Sequence, residues 1–312
     1  MKEEMRESPA GMSQFGLYQS CPRKWAFKYI LGYVREGDTP EPLANGSAIH
    51  EGKRVFYETF DIDEAIARAV KVSKEYADSF PSIEIQKEKL KKIFMEWYKT
   101  YGKDEREKYQ VISNETQNTV LLPNGTELTI RIDQVLRERE TGHIFIFDTK
   151  STGWSLEGTI NENEFKAQSL LYIASVYRSN PEWLGSFRGW ITDVMYSRVN
   201  YKKSGALSSI SAKCQRSPAI MYTEEQCNSF LESLTSVTSE VAWANKNFKE
   251  GQPFNACFPM NRGSCRLFNR TCPYWQICFD DFKANDPPTE PYSLDPWKKE
   301  GIIQDVLSKI KV

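Results

Sequence analysis

Two turn signals close together constrain this chain more than anything else in it. Leu121-Leu122-Pro123-Asn124-Gly125-Thr126 sets an Asn-Gly pair between two β-prone runs, and Glu140-Thr141-Gly142 joins the run Leu128 to Arg137 to the apolar run Ile144-Phe145-Ile146-Phe147. Asn-Gly between such runs is the strongest short-range hairpin signal, because both residues tolerate the positive φ that a tight hairpin turn needs. A three-stranded antiparallel meander is expected. Counting outward from a turn centred between Glu140 and Thr141 sets Asp133 directly across from Asp148, where opposed Cβ atoms lie ~4.5–5.5 Å apart. Lys150, two residues further on, shares the face of Asp148. Ile144 to Phe147 reads as a strand buried on both faces, so two acids and one amine stand at the end of an apolar strand.

Like charges directly opposed are destabilising, and unpaired carboxylates beside a buried strand are costly unless a divalent cation neutralises them. Hard oxygen ligands with open positions suit Mg²⁺ or Mn²⁺, a pairing used to hydrolyse phosphate esters. The alternative is an ordinary Asp–Lys surface pair at a strand end, and geometry alone leaves both open.

Helical signals surround the meander. Ser13 is positioned to cap a short helix carrying Phe15 and Tyr18, and Pro22 suits the first position of a helix from Pro22 to about Leu31. On that helix Trp25 and Tyr29 are i,i+4 neighbours, and Arg23, Lys24 and Lys28 add positive charge. After a loop through Pro40 and Pro42, Gly46-Ser47 opens a helix bearing Ile49, His50, Phe56 and Phe60. From about Ile62 to Tyr109 the chain is helical and highly charged, anchored by Phe94, Trp97 and Tyr98, as a helical insertion would be. Beyond the meander come a helix from about Asn163 to Tyr177, a β-prone stretch from Phe187 to Tyr196 and a hairpin through Ile220-Met221-Tyr222. Thr223-Glu224-Glu225-Gln226 is a capping box that opens a long helix to about Lys246. This order implies an α/β or α+β fold, without internal repeats.

Composition bears on partners. With 41 Lys+Arg against 42 Asp+Glu the formal charge is −1 over 312 residues, so a nucleic acid would have to be held by a local patch and not by a basic protein. No apolar run reaches the ~18 residues of a membrane span, and the start lacks a signal peptide's apolar stretch, so a cytoplasmic protein with no membrane partner is expected. Seven cysteines cannot all pair within one chain, and a clustered subset points to metal or redox chemistry. Cys257, Cys265, Cys272 and Cys278 fall in one stretch, whereas Cys21, Cys214 and Cys227 are scattered. Cys265, Cys272 and Cys278 lack the paired Cys-x-x-Cys knuckles of a zinc ribbon.

Asp133 followed by Asp148-Thr149-Lys150 resembles the split acid and (D/E)-x-K motif of the PD-(D/E)XK nucleases. Further segments narrow the resemblance to the RecB-like branch, with AddB-type and CRISPR-associated exonucleases. They are Ser13 to Tyr29 with Cys21-Pro22-Arg23, then Gly46-Ser47-Ala48-Ile49-His50, then Gln168-Ser169-Leu170-Leu171-Tyr172, and finally the C-terminal cysteines. In order and spacing they cover the chain from about Ser13 to Cys278, apart from the helical insertion.

This resemblance implies an α/β restriction-endonuclease-like core, a mixed central sheet flanked by helices, with a helical insertion at about residues 51–110. It implies one nuclease domain over residues 1–280, with residues 281–312 as a tail that either docks or simply packs. His50, Asp133 and Asp148 would ligate Mg²⁺ or Mn²⁺ with the backbone carbonyl of Thr149, while Lys150 would orient or help deprotonate the attacking water and stabilise the developing charge. Gln168 and Tyr172, one helical turn apart, would position DNA or Lys150. Asp148 stands where many relatives carry Glu. Cys21, Cys265, Cys272 and Cys278 would hold a [4Fe-4S] cluster joining the domain's two ends, with zinc in the same sulfurs, or Cys257 in place of Cys21, as the rivals. Cys214, Cys227 and Cys257 are then plain buried thiols. The implied activity is DNA hydrolysis, exonuclease action on single strands or ends being favoured, in repair or recombination and with a helicase or recombination partner. Arg23, Lys24, Lys28 and Trp25 would then contact phosphates and bases. Glu115, counted from a turn centred between Asn124 and Gly125, opposes Gln134 on the face away from Asp133 and is left out of the site.

Two other readings remain. A non-catalytic nucleic-acid-binding module would keep the fold but not the need for Asp133, Asp148 and Lys150. A zinc-stabilised interaction scaffold would explain the cysteines but not the acid pair, His50 or the Gln-x-x-x-Tyr turn. The chain shows no Gly-x-x-x-x-Gly-Lys phosphate loop and so no motor of its own.

Overall fold

The computed structural model describes residues 11–35, 40–164, 166–267, 270–279 and 291–294. In chain order the elements are α1 (Met12–Ser20), α2 (Pro22–Trp25), β1 (Tyr33–Arg35), α3 (Glu41–Thr59), α4 (Ile62–Glu75), α5 (Ile83–Trp97) and α6 (Lys103–Lys108). The meander β2 (Tyr109–Leu121), β3 (Glu127–Glu138) and β4 (Ile144–Thr152) follows, then α7 (Leu156–Glu164), α8 (Ala167–Ser179), β5 (Phe187–Tyr201), β6 (Leu207–Arg216) and α9 (Glu224–Lys249). Short pieces close the chain: α10 (Phe254–Cys257), β7 (Arg266–Leu267), β8 (Arg270–Thr271), α11 (Trp275–Phe279) and β9 (Tyr292–Leu294). They gather into two compact units, one drawn from Gly37–Asn118 and Arg131–Cys227, the other from Met1–Glu36, Thr119–Ile130 and Asn228–Val312.

The central sheet has the order β2-β3-β4-β5-β6. β4 runs parallel to β5, while β3–β4 and β5–β6 are antiparallel, which makes the mixed sheet of an α/β fold. The β3–β4 ladder pairs Gln134 with Phe147, Val135 with Ile146, Leu136 with Phe145 and Arg137 with Ile144, the register counted from the turn. In the first hairpin the Leu122 N–H donates to the Thr126 carbonyl at 2.9 Å, so the turn is centred on Asn124 and not between Asn124 and Gly125. That half-step displaces every pairing counted outward from it by one residue.

Several boundaries differ from expectation for local reasons. Gly11, in extended backbone, occupies the cap position of α1, and Ser13 lies inside the helix. α3 begins at Glu41, not at Gly46-Ser47, because Pro42 sits in the first turn, where a missing N–H costs nothing. The helix expected from about Asn163 to Tyr177 is α8, which starts at Ala167, and the helix before it, α7, was not expected. β6 was not expected because only Ile210, Ala212 and Cys214 alternate as apolar residues within its serine-rich sequence, too few to stand out, as suits an edge strand. Ile220 forms an isolated bridge to Trp190 in place of a hairpin, with paired backbone bonds of 2.8 and 2.9 Å. Beside it Gly189 has φ +117, and a Cβ there would come within 2.2 Å of the Ile220 carbonyl oxygen. The capping box is reciprocal as expected, the Thr223 N–H donating to Gln226 Oε1 at 2.9 Å and the Gln226 N–H to Thr223 Oγ1 at 3.2 Å.

One sheet face holds a buried ionic cluster against the helices. Lys53 Nζ donates to Asp193 Oδ2 at 2.9 Å, Trp97 Nε1 donates to the same oxygen at 2.8 Å, and Arg216 bridges Asp193 and Glu105 at 3.2 and 2.7 Å. Lys53 also lies 3.3 Å from the Trp97 ring centroid. Charges this deep are tolerated only when paired and hydrogen-bonded.

In the other unit, Trp25 is fully buried and meets Tyr18 edge-on at 5.4 Å. Phe27 lies 5.4 Å from Tyr274 and 5.6 Å from Phe254. Of the expected tail at 281–312, Tyr292–Leu294 pairs antiparallel with Tyr33–Arg35. The rest of the tail, apart from residue 291, lies outside the described residues. Among the described residues no helix is long and apolar enough to cross a membrane.

Burial pushes the Asp193 carboxyl up, but Lys53 and Arg216 overcome this and hold it at about 2. A carboxyl depressed from an unfolded value near 3.9 adds stability that is complete above that value and lost as pH falls toward 2, on the order of 2–3 kcal/mol. Asp193→Asn should therefore destabilise at pH 7 by about 3 kcal/mol in urea unfolding, and the gap to the wild type should narrow between about pH 4 and 2.

Candidate metal centre

The β3–β4 ladder ends at Gln134 and Phe147, one pair short of Asp133 and Asp148. Beyond it the Asp133 side chain replaces the backbone: Asp133 Oδ2 accepts the Thr149 N–H at 2.7 Å. Asp133 and Asp148 are both buried, at 5 % and 0 % exposure. α3 brings His50 over this strand end, with Nδ1 3.2 Å from Asp133 Oδ2 and 3.7 Å from Glu115 Oε1. The ligand atoms of His50, Glu115 and Asp133 all lie within 4.8 Å of one another.

Glu115 is a correction to the sequence reading, which set it on the opposite face. With the turn centred on Asn124, Asn114 is the residue whose side chain reaches Gln134, at 3.4 Å. Glu115 itself has φ +50, a left-handed kink that breaks the strand's alternation. An Asn-Gly turn is compatible with either centring, so the sequence carried no signal that would choose between them.

Lys150 completes the arrangement. Its Nζ lies 2.9 Å from Asp148 Oδ1 and 2.7 Å from Oδ2, and it donates to Gln168 Oε1 at 3.1 Å. Gln168 Nε2 donates to the Tyr172 hydroxyl at 2.7 Å, and that hydroxyl donates to the Arg131 carbonyl at 2.5 Å. The helical i,i+4 spacing of Gln168 and Tyr172 thus builds a relay that orients the lysine. Asp148 stands apart from the His50–Glu115–Asp133 trio, held by Lys150.

Electrostatics show the cost of crowding. Burial, reinforced by the charge of Asp133 and opposed by Lys150, pushes Asp148 up to about 6. Burial likewise raises Glu115. For Asp133 burial acts upward, but His50 outweighs it and the carboxyl falls below its usual range. Burial works against the charged form of His50, yet Asp133 and Glu115 raise it to about 10.

The donor set fits a hard divalent cation. Two carboxylates and one imidazole converge, with Asp148 held nearby on Lys150, and Glu115 Oε1 is buried without a hydrogen bond, a lone pair that a cation would satisfy. Thr149, the residue after Asp148, is fully buried, its N–H already committed to Asp133.

The cysteines form a separate place in the other unit. Cys21, Cys265, Cys272 and Cys278 line one cavity with Lys24, Phe27 and Met260, and Cys257 is not among its lining residues. Among the described residues no three cysteine sulfurs approach within 4.8 Å of one another. Cys227 and Cys257 are buried and Cys214 is half-buried.

The nucleic-acid role expected of Trp25 is overturned. Trp25 has no exposed surface and its Nε1 donates to Gln14 at 3.2 Å, while Tyr29 is 2 % exposed, so neither ring can stack on a base. Their i,i+4 spacing marks a core-facing helix stripe. Arg23 Nε is turned inward to the Phe258 carbonyl at 3.1 Å, Lys24 lines the cysteine cavity, and Lys28 sits 5.2 Å from the Tyr29 ring centroid.

A mixed sheet that delivers two aspartates and a lysine to the end of a buried strand, with a histidine and a glutamate closing round them, is the architecture of a metal-dependent nuclease. Over residues 10–279 the chain matches the family model of the PD-(D/E)XK nuclease superfamily, and it belongs to that superfamily. No match was found among curated proteins. Members of the superfamily are in general metal-dependent nucleases, which accords with the cation-ready donor set.

Glu115→Gln should weaken Mn²⁺ binding at least about tenfold in isothermal titration calorimetry, since one anionic donor of the trio is lost.

Proposed function

We propose that the chain is a RecB-like DNA nuclease that uses Mg²⁺ or Mn²⁺ and acts as an exonuclease on single strands or DNA ends. The observation that carries this reading is the placement of Lys150. Its ammonium has three N–H groups; Asp148 and Gln168 take two, and the third is left for a phosphate oxygen or the attacking water. His50, Glu115, Asp133 and Asp148 would hold the cation, with the Thr149 carbonyl as a further ligand. The cation would supply Lewis-acid stabilisation of the phosphoryl oxygens. Lys150 then offers a donor fixed in place before the reaction, the preorganisation that makes such hydrogen bonds effective in a dry site. Gln168 and Tyr172 keep that donor aimed.

The reading includes a [4Fe-4S] cluster on Cys21, Cys265, Cys272 and Cys278. Its support is the one cavity that the four cysteines line together. A cluster there would be structural, since no acid or base of the metal centre lies among the cysteines.

Mn²⁺-dependent release of label from end-labelled DNA should fall by about 10²–10³ in Lys150→Ala, the cost of removing one preorganised donor. DNA left intact in every metal and substrate tried, or equal activity in Lys150→Ala, would overturn the nuclease reading. Protein isolated without oxygen should be brown, with visible absorbance that bleaches on reduction, and Cys272→Ser should lower yield and thermal stability before it alters chemistry. A colourless, zinc-loaded protein would replace the cluster with the zinc alternative.

A further inference from the structure

The metal centre explains the acids at the end of β4 but leaves open what steers a polyanion toward them. Arg23 and Trp25, expected to do so, are engaged inside the other unit. The β5–β6 hairpin offers a different surface. From Val194 to Thr223 the sequence contains no Asp or Glu, in a chain with 42 of them, yet it carries Arg198, Lys202, Lys203, Lys213 and Arg216. Arg216 is spent on Asp193 and Glu105 on the helix-covered face. Arg198, Lys202, Lys203 and Lys213 are exposed, and among the described residues none is in an ion pair. Several cations on the helices of the same unit are matched, as with Arg54 to Glu51 and Glu58, Arg68 to Glu51, and Lys89 to Glu41.

Register decides which way this charge faces. Lys150 pairs with Val194 and Thr152 with Tyr196 across β4–β5, and Tyr196 pairs with Lys213 and Arg198 with Ser211 across β5–β6. Paired residues share a sheet face, so Asp148, Lys150, Tyr196, Arg198, Asn200, Ser209, Ser211 and Lys213 all lie on one side. The ionic cluster of Asp193 and Arg216 lies on the other. Because β4 and β5 are parallel, β5 runs past the end of β4 from Ser197 to Tyr201, and its face continues outward from Lys150. Arg198 is four residues beyond the Lys150 position, ~13 Å along the strand, within reach of a phosphate a few nucleotides from the cleavable bond. Asn200 Nδ2 donates to Ser209 Oγ at 3.2 Å and to Ser211 Oγ at 3.1 Å, which makes a polar floor between the cations. Tyr201 is 52 % exposed at the hairpin's end, and Trp154, two residues beyond Thr152, is 92 % exposed, so rings for base stacking stand at the same end of the sheet.

We propose that the β5–β6 hairpin is the track for the DNA backbone, with Arg198, Lys202, Lys203 and Lys213 neutralising phosphates of the strand whose cleavable bond reaches Lys150. The assignment rests on the nuclease reading for the identity of the polyanion, and on register and unpaired charge for its place. It also reconciles the near-neutral chain with a polyanionic substrate, since the positive field is confined to one acid-free ribbon.

The test is a fluorescence-anisotropy titration of the full chain with a labelled oligonucleotide of 20 thymidines, with Ca²⁺ in place of Mn²⁺ and at several salt concentrations. The triple substitution Lys202→Ala, Lys203→Ala, Lys213→Ala should raise Kd about tenfold near 0.1 M salt and flatten the log–log salt slope by about 2, each phosphate contact on a single strand contributing about 0.7. The corresponding triple Lys→Arg protein should bind as the wild type does. Turnover of thymidine 5′-p-nitrophenyl phosphate, too small to reach the hairpin, should be unchanged in both. Equal Kd and equal slope in the alanine protein would overturn the hairpin track while leaving the nuclease reading intact. A wild type that cleaves neither oligonucleotide nor ester in any metal would remove the nuclease reading, and the titration would still decide whether the hairpin binds DNA.

Discussion

One hydrogen bond, from the Thr149 N–H to Asp133 Oδ2, stands where the β3–β4 ladder stops, and the metal centre is arranged around it. It draws two strands together through a side chain at the point where backbone pairing would otherwise continue. The Asp133 carboxylate is thereby fixed beside Asp148, a juxtaposition that like charges would resist in an open sheet. Burial of both acids keeps water from relieving the repulsion, and Asp148 responds with a carboxyl raised to about 6. The stored repulsion is what a divalent cation would discharge.

α3 is held on two sides of that strand pair. His50 reaches Asp133, and Lys53, one helical turn on, reaches Asp193, whose β5 position is registered against Thr149. The helix that supplies an imidazole to the centre is therefore pinned by a buried salt bridge to the strand next to β4. An amphipathic helix packed by apolar contacts alone has more freedom to slide than one held by paired, desolvated charges. Trp97 and Arg216 converge with Lys53 on one oxygen of Asp193, Oδ2, so α3 is anchored on the sheet face opposite Asp148 and Lys150.

Much of this was legible before any coordinates. Turn residues and strand period set the β3–β4 register, which ends one pair short of Asp133 and Asp148, and put Lys150 on the face of Asp148, because both rules are local and count in whole residues. The i,i+4 spacing of Gln168 and Tyr172 likewise foretold their contact. Where local rules were ambiguous the reading failed. Glu115 entered the site through a half-step in the turn and a left-handed kink. Trp25 carried the same spacing whether it faced solvent or core, and the core took it. β6 went unseen because its apolar alternation is confined to Ile210, Ala212 and Cys214 in an otherwise serine-rich edge strand.

By itself, then, the sequence determined the meander, its second register, the acid–acid–lysine motif and hence the family, since these depend on turn chemistry and on the two-residue period of a strand. Tertiary structure alone decided the company those residues keep: Glu115 beside His50, Lys53 against Asp193, and an acid-free hairpin continuing the face of Lys150. Each of these joins positions far apart in the chain. Burial, charge pairing and sheet order choose such partners only once the whole set of elements has packed, and no window of sequence contains that choice.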